Sequence, residues 1–109
     1  MKLNIYGLKD DVAGEFVFFW QAQNEGMMKR AIKGALLSKE QNPFTTDIKD
    51  KSVYELGAID TLTGQLEVIA PIFCVRVSEV RLELIKEIKI AKAEAGDSSP
   101  NAEEVAKDE

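Results

Sequence analysis

The chain has 109 residues, 45% of them hydrophobic and 30% charged, with a formal net charge of −5, one cysteine and no histidine. That length suits a single domain with a real core, one cysteine excludes an internal disulfide framework, and the lack of histidine removes the commonest general base and metal ligand. Residues 97–109 hold five acids and one base, so the acidity is concentrated there, and residues 1–96, with 13 bases and 14 acids, form a nearly neutral body.

Leu3–Leu8 alternates as a short strand, with Leu3 and Ile5 on one face and Tyr6 and Leu8 on the other. Lys9-Asp10-Asp11-Val12-Ala13-Gly14 is an acid-rich turn closed by glycine, and Glu15–Gln21 is a second strand, so the first two elements make a hairpin. In Phe16-Val17-Phe18-Phe19-Trp20, strict alternation places Phe16, Phe18 and Trp20 on one face and Val17 and Phe19 on the other. Apolar residues on both faces mean either a central, doubly covered strand or one face left for a partner. Aromatic sheet platforms stack bases in many single-strand binders, but Glu15 and Gln21 flank this strand where such platforms usually carry Lys or Arg, which favours core packing.

Asn24 is an N-cap, with Glu25 favourable at the positive end of the helix dipole. The helix it opens runs to about Lys39 and buries Met28, Ala31, Ile32, Ala35 and Leu36. Lys29, Arg30 and Lys33 gather on another face, either as a solvated basic surface or as contacts to nucleic-acid phosphates. Gln41–Lys51, with Asn42-Pro43, is a loop. Val53–Ile59 and Leu66–Ala70 alternate on either side of Asp60–Gly64, where Gly64 supplies the positive φ of a hairpin turn and Asp60 and Thr61 bond back onto it. Tyr54, Leu56 and Ala58 then face away from Val53, Glu55, Gly57 and Ile59. Pro71 marks an edge strand or a bulge, since proline donates no ladder hydrogen bond. Cys74, inside Ile72-Phe73-Cys74-Val75, is a small buried hydrophobe.

The last helix, Ser78 to Ala95, carries the stripe Val77, Val80, Leu84, Ile88 and Ala91, with Glu83, Glu87 and Glu94 on one flank and Arg81, Lys89 and Lys92 on the other. Leu82 and Ile90 fall off that stripe. The surplus of apolar positions and the sorted charges fit self-association as a C2 dimer through Leu82, Leu84, Ile88 and Ile90, although one face packed on the sheet accounts for the main stripe. Residues 97–109 lack the apolar content to offset their ordering entropy and are expected to be a disordered acidic tail.

The fold expected is α+β: two β-hairpins in one antiparallel sheet with one packed helix (ββαββ), plus a C-terminal amphipathic helix at about residues 78–95, all in a single domain over residues 1–96. Antiparallel pairing follows from turns too short for parallel crossovers. Catalysis finds no support. A lone cysteine without histidine is a poor nucleophile, Gly34, Gly57 and Gly64 form no phosphate-cradling fingerprint, and Asp10 with Asp11, or Asp47 with Asp50, read as turn formers before metal ligands. No cofactor or metal is expected. No apolar run approaches the roughly 20 residues of a membrane span, and Met1-Lys2-Leu3-Asn4 opens no signal-peptide core.

The order Ile5-Tyr6-Gly7-Leu8-Lys9-Asp10, the aromatic strand, Asn24-Glu25-Gly26-Met27-Met28-Lys29-Arg30-Ala31, Asn42-Pro43, Asp50 and Tyr54-Glu55-Leu56-Gly57-Ala58-Ile59-Asp60-Thr61-Leu62-Thr63-Gly64 resembles the small nonstructural protein of gokushovirus-type microviruses, phages with single-stranded DNA genomes. The resemblance covers roughly residues 3–71, and the C-terminal helix and acidic tail depart from it. It implies a nonstructural role in the host bacterial cytoplasm, in DNA binding for single-stranded DNA synthesis or packaging. It carries over no site residues. Two functions stay open: a weak DNA-binding accessory factor, and a protein-interaction module that engages a phage or host replication protein through the last helix.

Overall fold

The computed structural model describes residues 1–96; the tail at residues 97–109 lies outside the described residues. In chain order the elements are β1 (Lys2–Asp10), β2 (Glu15–Ala22), α1 (Glu25–Leu37), a 3-10 turn (Ile48–Asp50), β3 (Lys51–Asp60), β4 (Leu66–Arg76) and α2 (Val77–Gly96). The strands form one antiparallel sheet in the order β2-β1-β3-β4. The two-hairpin α+β architecture is therefore present, and α2 completes it as ββαββα.

Both hairpins close through the same local chemistry, Asp-x-x-x-Gly. Asp10 Oδ1 accepts from the N–H groups of Val12 and Ala13 at 3.0 and 3.1 Å, and Asp60 Oδ1 accepts from Leu62 N–H at 2.9 Å. Gly14 and Gly64, at φ 74° and 77°, each donate back to the carbonyl of the turn's aspartate at 2.7 Å. The Leu62 N–H bond holds the Asp60 carboxyl below its ordinary pKa.

Asn24 caps α1 as its side chain predicts, its Oδ1 accepting from Met27 N–H at 2.9 Å. The helix stops at Leu37, two residues short of the expected Lys39. Asn42 explains the stop: its Nδ2 donates to Ala35 O at 2.9 Å while its Oδ1 accepts from Phe44 N–H at 3.0 Å, turning the chain into the loop. Met28 and Ile32 are fully buried, Ala35 and Leu36 partly so, and Ala31, expected on the same face, is exposed.

One face of the sheet carries the core. Tyr6 and Leu8 of β1, Val53 of β3 and Val75 of β4 meet Met28 and Ile32 of α1, Phe44 of the loop, and Val77 and Val80 of α2. Burial of each large side chain contributes about 1.5–3 kcal/mol. At the rim, Lys33 of α1 pairs with Glu83 and Glu87 of α2 at 2.9 and 2.8 Å. These bonds raise the Lys33 pKa and lower that of Glu83.

Three departures from strict alternation decide which side chains reach the other face. Leu8 pairs with Phe18 but Lys9 with Phe16, leaving Val17 as an extra residue on β2. Ile5 pairs with Gly57 but Tyr6 with Glu55, leaving Leu56 extra on β3. Val53 pairs with Val75 but Tyr54 with Phe73, leaving Cys74 extra on β4. Each two-against-one count reverses the facing of everything beyond it. Phe16 thus leaves the face of Phe18 and Trp20, where alternation had placed it, and packs with Phe19 and Tyr54. Likewise Ile59 joins the side of Tyr54, and Ala58 pairs with Asn4 on the opposite one. Pro71 lies on edge strand β4, within a second irregularity between Glu55↔Ile72 and Gly57↔Val68.

Gly57 shows how tightly the β3 bulge is built. Its φ is 155°, and a Cβ there would stand 2.0 Å from the carbonyl oxygen of Glu67. Gly57→Ala should therefore lower the unfolding free energy by about 1–3 kcal/mol. Gly34→Ala, mid-helix with nothing within 4 Å, should raise it by about 0.5–1 kcal/mol. Urea denaturation of the two variants beside the parent measures both.

Candidate nucleic-acid interface

The face of the sheet opposite the helices is uncovered by any described element, and it is aromatic. Phe19 and Phe16 of β2, Tyr54 of β3 and Phe73 of β4 follow one another across it: Phe16 lies 6.1 Å from Phe19 and 5.7 Å from Tyr54, and Tyr54 lies 5.7 Å from Phe73 (ring centroids). The last two contacts are edge-to-face, at 83° and 79°. Phe19 is 57% exposed and Phe73 50%. Ile5, Ile59 and Leu66 extend the surface around a depression of about 230 Å³ beside Phe19 and Gln21.

The row crosses β1 at Gly7, which has no side chain to interrupt it. A Cβ on Gly7 would meet Leu56 Cδ1 at 2.7 Å and Phe16 Cδ1 at 2.8 Å. The bare backbone lets Phe16 and Leu56 close over the strand from either side. One cation stands over the rings: Lys9 Nζ lies 5.9 Å from the Phe16 centroid and 5.4 Å from that of Tyr54, within cation–π range. Phe18 and Trp20 are on the other face, packed against Phe44 at 5.5 and 5.2 Å.

The basic residues singled out from the sequence lie elsewhere. Lys29, Arg30 and Lys33 are on α1, across the sheet from the aromatic row. Arg30 is exposed and Lys29 half-buried, while Lys33 is held by two glutamates of α2. Of the helix positions considered for self-association, Leu82 and Ile90 are 60% and 59% exposed, Ile88 is half-buried, and Leu84 is buried in the chain's own fold. Glu83 and Glu87, from the acidic flank that fitted self-association, pair with Lys33 of the same chain. Lys9, Tyr54 and Phe73 were not legible as one site because the row draws on both hairpins. The available signal was large apolar residues on both sides of edge strands.

A family model described as phage ORF5 protein matches residues 3–80. The chain belongs to the phage ORF5 protein family. No curated protein and no solved structure matches it. The segment matched by the phage ORF5 model holds β1 from its second residue, the other three strands, α1 and the start of α2 (residues 77–80), so every aromatic of the open face lies within the family's shared part. It also extends past Pro71, where the resemblance noted from the sequence ended. Among the described residues no group of three or more His, Cys, Asp or Glu is placed to hold a metal ion, and no helix is long and apolar enough to cross a membrane. Cys74 is half-buried, and that burial raises its thiol above the ordinary pKa.

Side chains half in water contribute less to folding than those of the core. Phe19→Ser and Phe73→Ser should each cost about 1 kcal/mol or less, whereas Ile32→Ala, at a fully buried position, should cost about 2–5 kcal/mol. Denaturant midpoints compare the three, and a loss at Phe19 equal to that at Ile32 would show that the open face supports the fold.

Proposed function

We propose that this phage ORF5 family protein is a non-enzymatic DNA-binding accessory factor of a small phage of the gokushovirus type. In this reading it holds single-stranded DNA against the open aromatic face during DNA synthesis or packaging in the host bacterial cytoplasm. The observation that carries the reading is the row Phe19, Phe16, Tyr54 and Phe73 with Lys9 above its centre. Exposed rings on a sheet offer apolar surfaces to unpaired bases, each stacked base contributing about 1–3 kcal/mol, and this preference tolerates any sequence. In this reading Lys9 meets a phosphate of the strand. Double-stranded DNA, whose base faces are stacked away, has no access to such a surface.

The charge distribution sets the expected character of binding. With one lysine at the row and a nearly neutral body, the salt dependence should be shallow, a slope of about −0.7 for each phosphate contacted. Lys29 and Arg30 offer a separate contact surface on α1, and Lys33 is diverted into its ion pairs.

A second reading rests on Leu82 and Ile90, whose exposure on α2 leaves two large apolar side chains for a second copy or for a phage or host replication protein. Sedimentation of the intact chain and of Leu82→Glu/Ile90→Glu tests it: a dimer that dissociates in the double variant supports this surface, and a monomeric parent removes self-association.

For the DNA reading, fluorescence titration with an oligodeoxythymidine should show that Phe19→Ala/Tyr54→Ala lowers affinity by at least about 30-fold. Replacing Lys29, Arg30 and Lys33 with Ala should change it little. Loss of binding and of salt dependence in the lysine–arginine variant alone would move the interface to α1. No binding by the parent at low salt would reject DNA and leave the protein-docking reading.

A further inference from the structure

A cleft of about 480 Å³ opens where the β1–β2 hairpin meets the loop before β3, at the edge of the sheet. It lies round the edge strand β2 from the aromatic row: Asp10 and Val17, which line the cleft, directly follow Lys9 and Phe16 in the chain, Asp10 on the face opposite Lys9 and Val17 at the β2 bulge. The bulge on β2 takes Val17 out of the pleat, where Val17 and Pro43 supply apolar walls.

Lys51 is the unusual residue. The side chain lines the cleft, only 4% of the residue is exposed, and its ammonium donates to the carbonyl of Thr46. Among the described residues it forms no ion pair. An ammonium has three N–H donors, and a buried cation is costly unless its remaining donors find acceptors. Each other polar residue of the lining has at least one side-chain hydrogen bond within the fold. Gln41 Nε2 donates to Thr46 Oγ1, Asn42 bonds the loop backbone, and Asp10 Oδ1 caps its own turn. Asp47 is the exception: its carboxylate makes no capping bond, it is exposed, and its backbone φ of 51° is the one positive value at a non-glycine among the described residues.

The cleft thus offers strong donors from Lys51, an acceptor-only carboxylate at Asp47, and two apolar walls. A bare phosphate fits poorly, because Asp10 and Asp47 repel it. A planar group with apolar faces fits if its edge carries acceptors beside paired N–H donors. Guanine has this edge: O6 and N7 accept from a lysine, and N1–H with the N2 amino group donates to a carboxylate. We propose that the cleft takes up one guanine of the bound strand, with Lys51 donating to O6 and N7 and Asp47 accepting from N1 and N2. This rests on the reading of the open face as a single-strand platform, and it adds a base preference that stacking alone does not supply.

The test compares an oligodeoxythymidine of about ten nucleotides, within the usual site size of such platforms, with the same oligomer carrying one central dG, dC or dA. The dG oligomer should bind roughly tenfold tighter or better, and Lys51→Met should abolish the difference while all-dT binding persists. Asp47→Asn, at an exposed position whose backbone Asn tolerates, should do the same, so the proposal survives any folding defect of Lys51→Met. Equal binding of the four oligomers overturns the guanine site and leaves the platform intact. If no oligomer binds, free dGMP decides the cleft alone: amide shifts at Val17, Thr46 and Asp47 support it, and their absence rejects it.

Discussion

Everything on the open side of this sheet depends on where one extra residue is inserted in a strand. Side chains in a strand alternate with a period of two, so a single insertion sends all later residues to the opposite face. Here Val17, Leu56 and Cys74 are the inserted residues. At the β3 bulge two backbones approach so closely that only glycine fits, with the Glu67 carbonyl where a Cβ of residue 57 would stand. Gly7 makes the matching allowance on β1. The aromatic row, the covered core and the edge cleft are three consequences of this arrangement.

The two sides of the sheet then divide the chemistry. On one, α1 and α2 close over Tyr6, Leu8, Val53 and Val75, and Lys33 with Glu83 and Glu87 fixes the helices against each other at the rim. On the other, rings and aliphatic chains remain in contact with water, with Lys9 as the cation above them. We propose this exposed aromatic face as the recognition surface of the domain. The near-neutral charge of residues 1–96 as a whole fits the proposed partner, one that brings flat apolar faces as unpaired bases do, better than one held by phosphate charge alone.

What could be read from the sequence follows the range of the forces involved. The hairpin turns were legible because Asp10, Gly14, Asp60 and Gly64 act within five residues. The start of α1 was legible because Asn24 bonds an amide three residues away. The faces of β2 and β3 were not, because a bulge is defined against a partner strand and no local alternation reveals it. That is why Phe16 and Ile59 changed sides. The lysines of α1 looked equivalent on a helical wheel, yet Lys33 is distinguished by glutamates 50 and more residues later in the chain. Lys51 carried no local signal at all, since its burial is produced by loop and strand folding around it.

The central claim is that the uncovered face of the sheet is where this phage ORF5 family protein meets its partner, and that the partner is unpaired DNA. Backbone and aromatic chemical shifts during titration with an oligodeoxythymidine locate the contact directly. The account predicts perturbations at Gly7, Lys9, Phe16, Phe19, Tyr54 and Phe73, with the α1 surface around Arg30 unchanged. Shifts confined to Lys29, Arg30 and their neighbours, with the aromatic row silent, would contradict it.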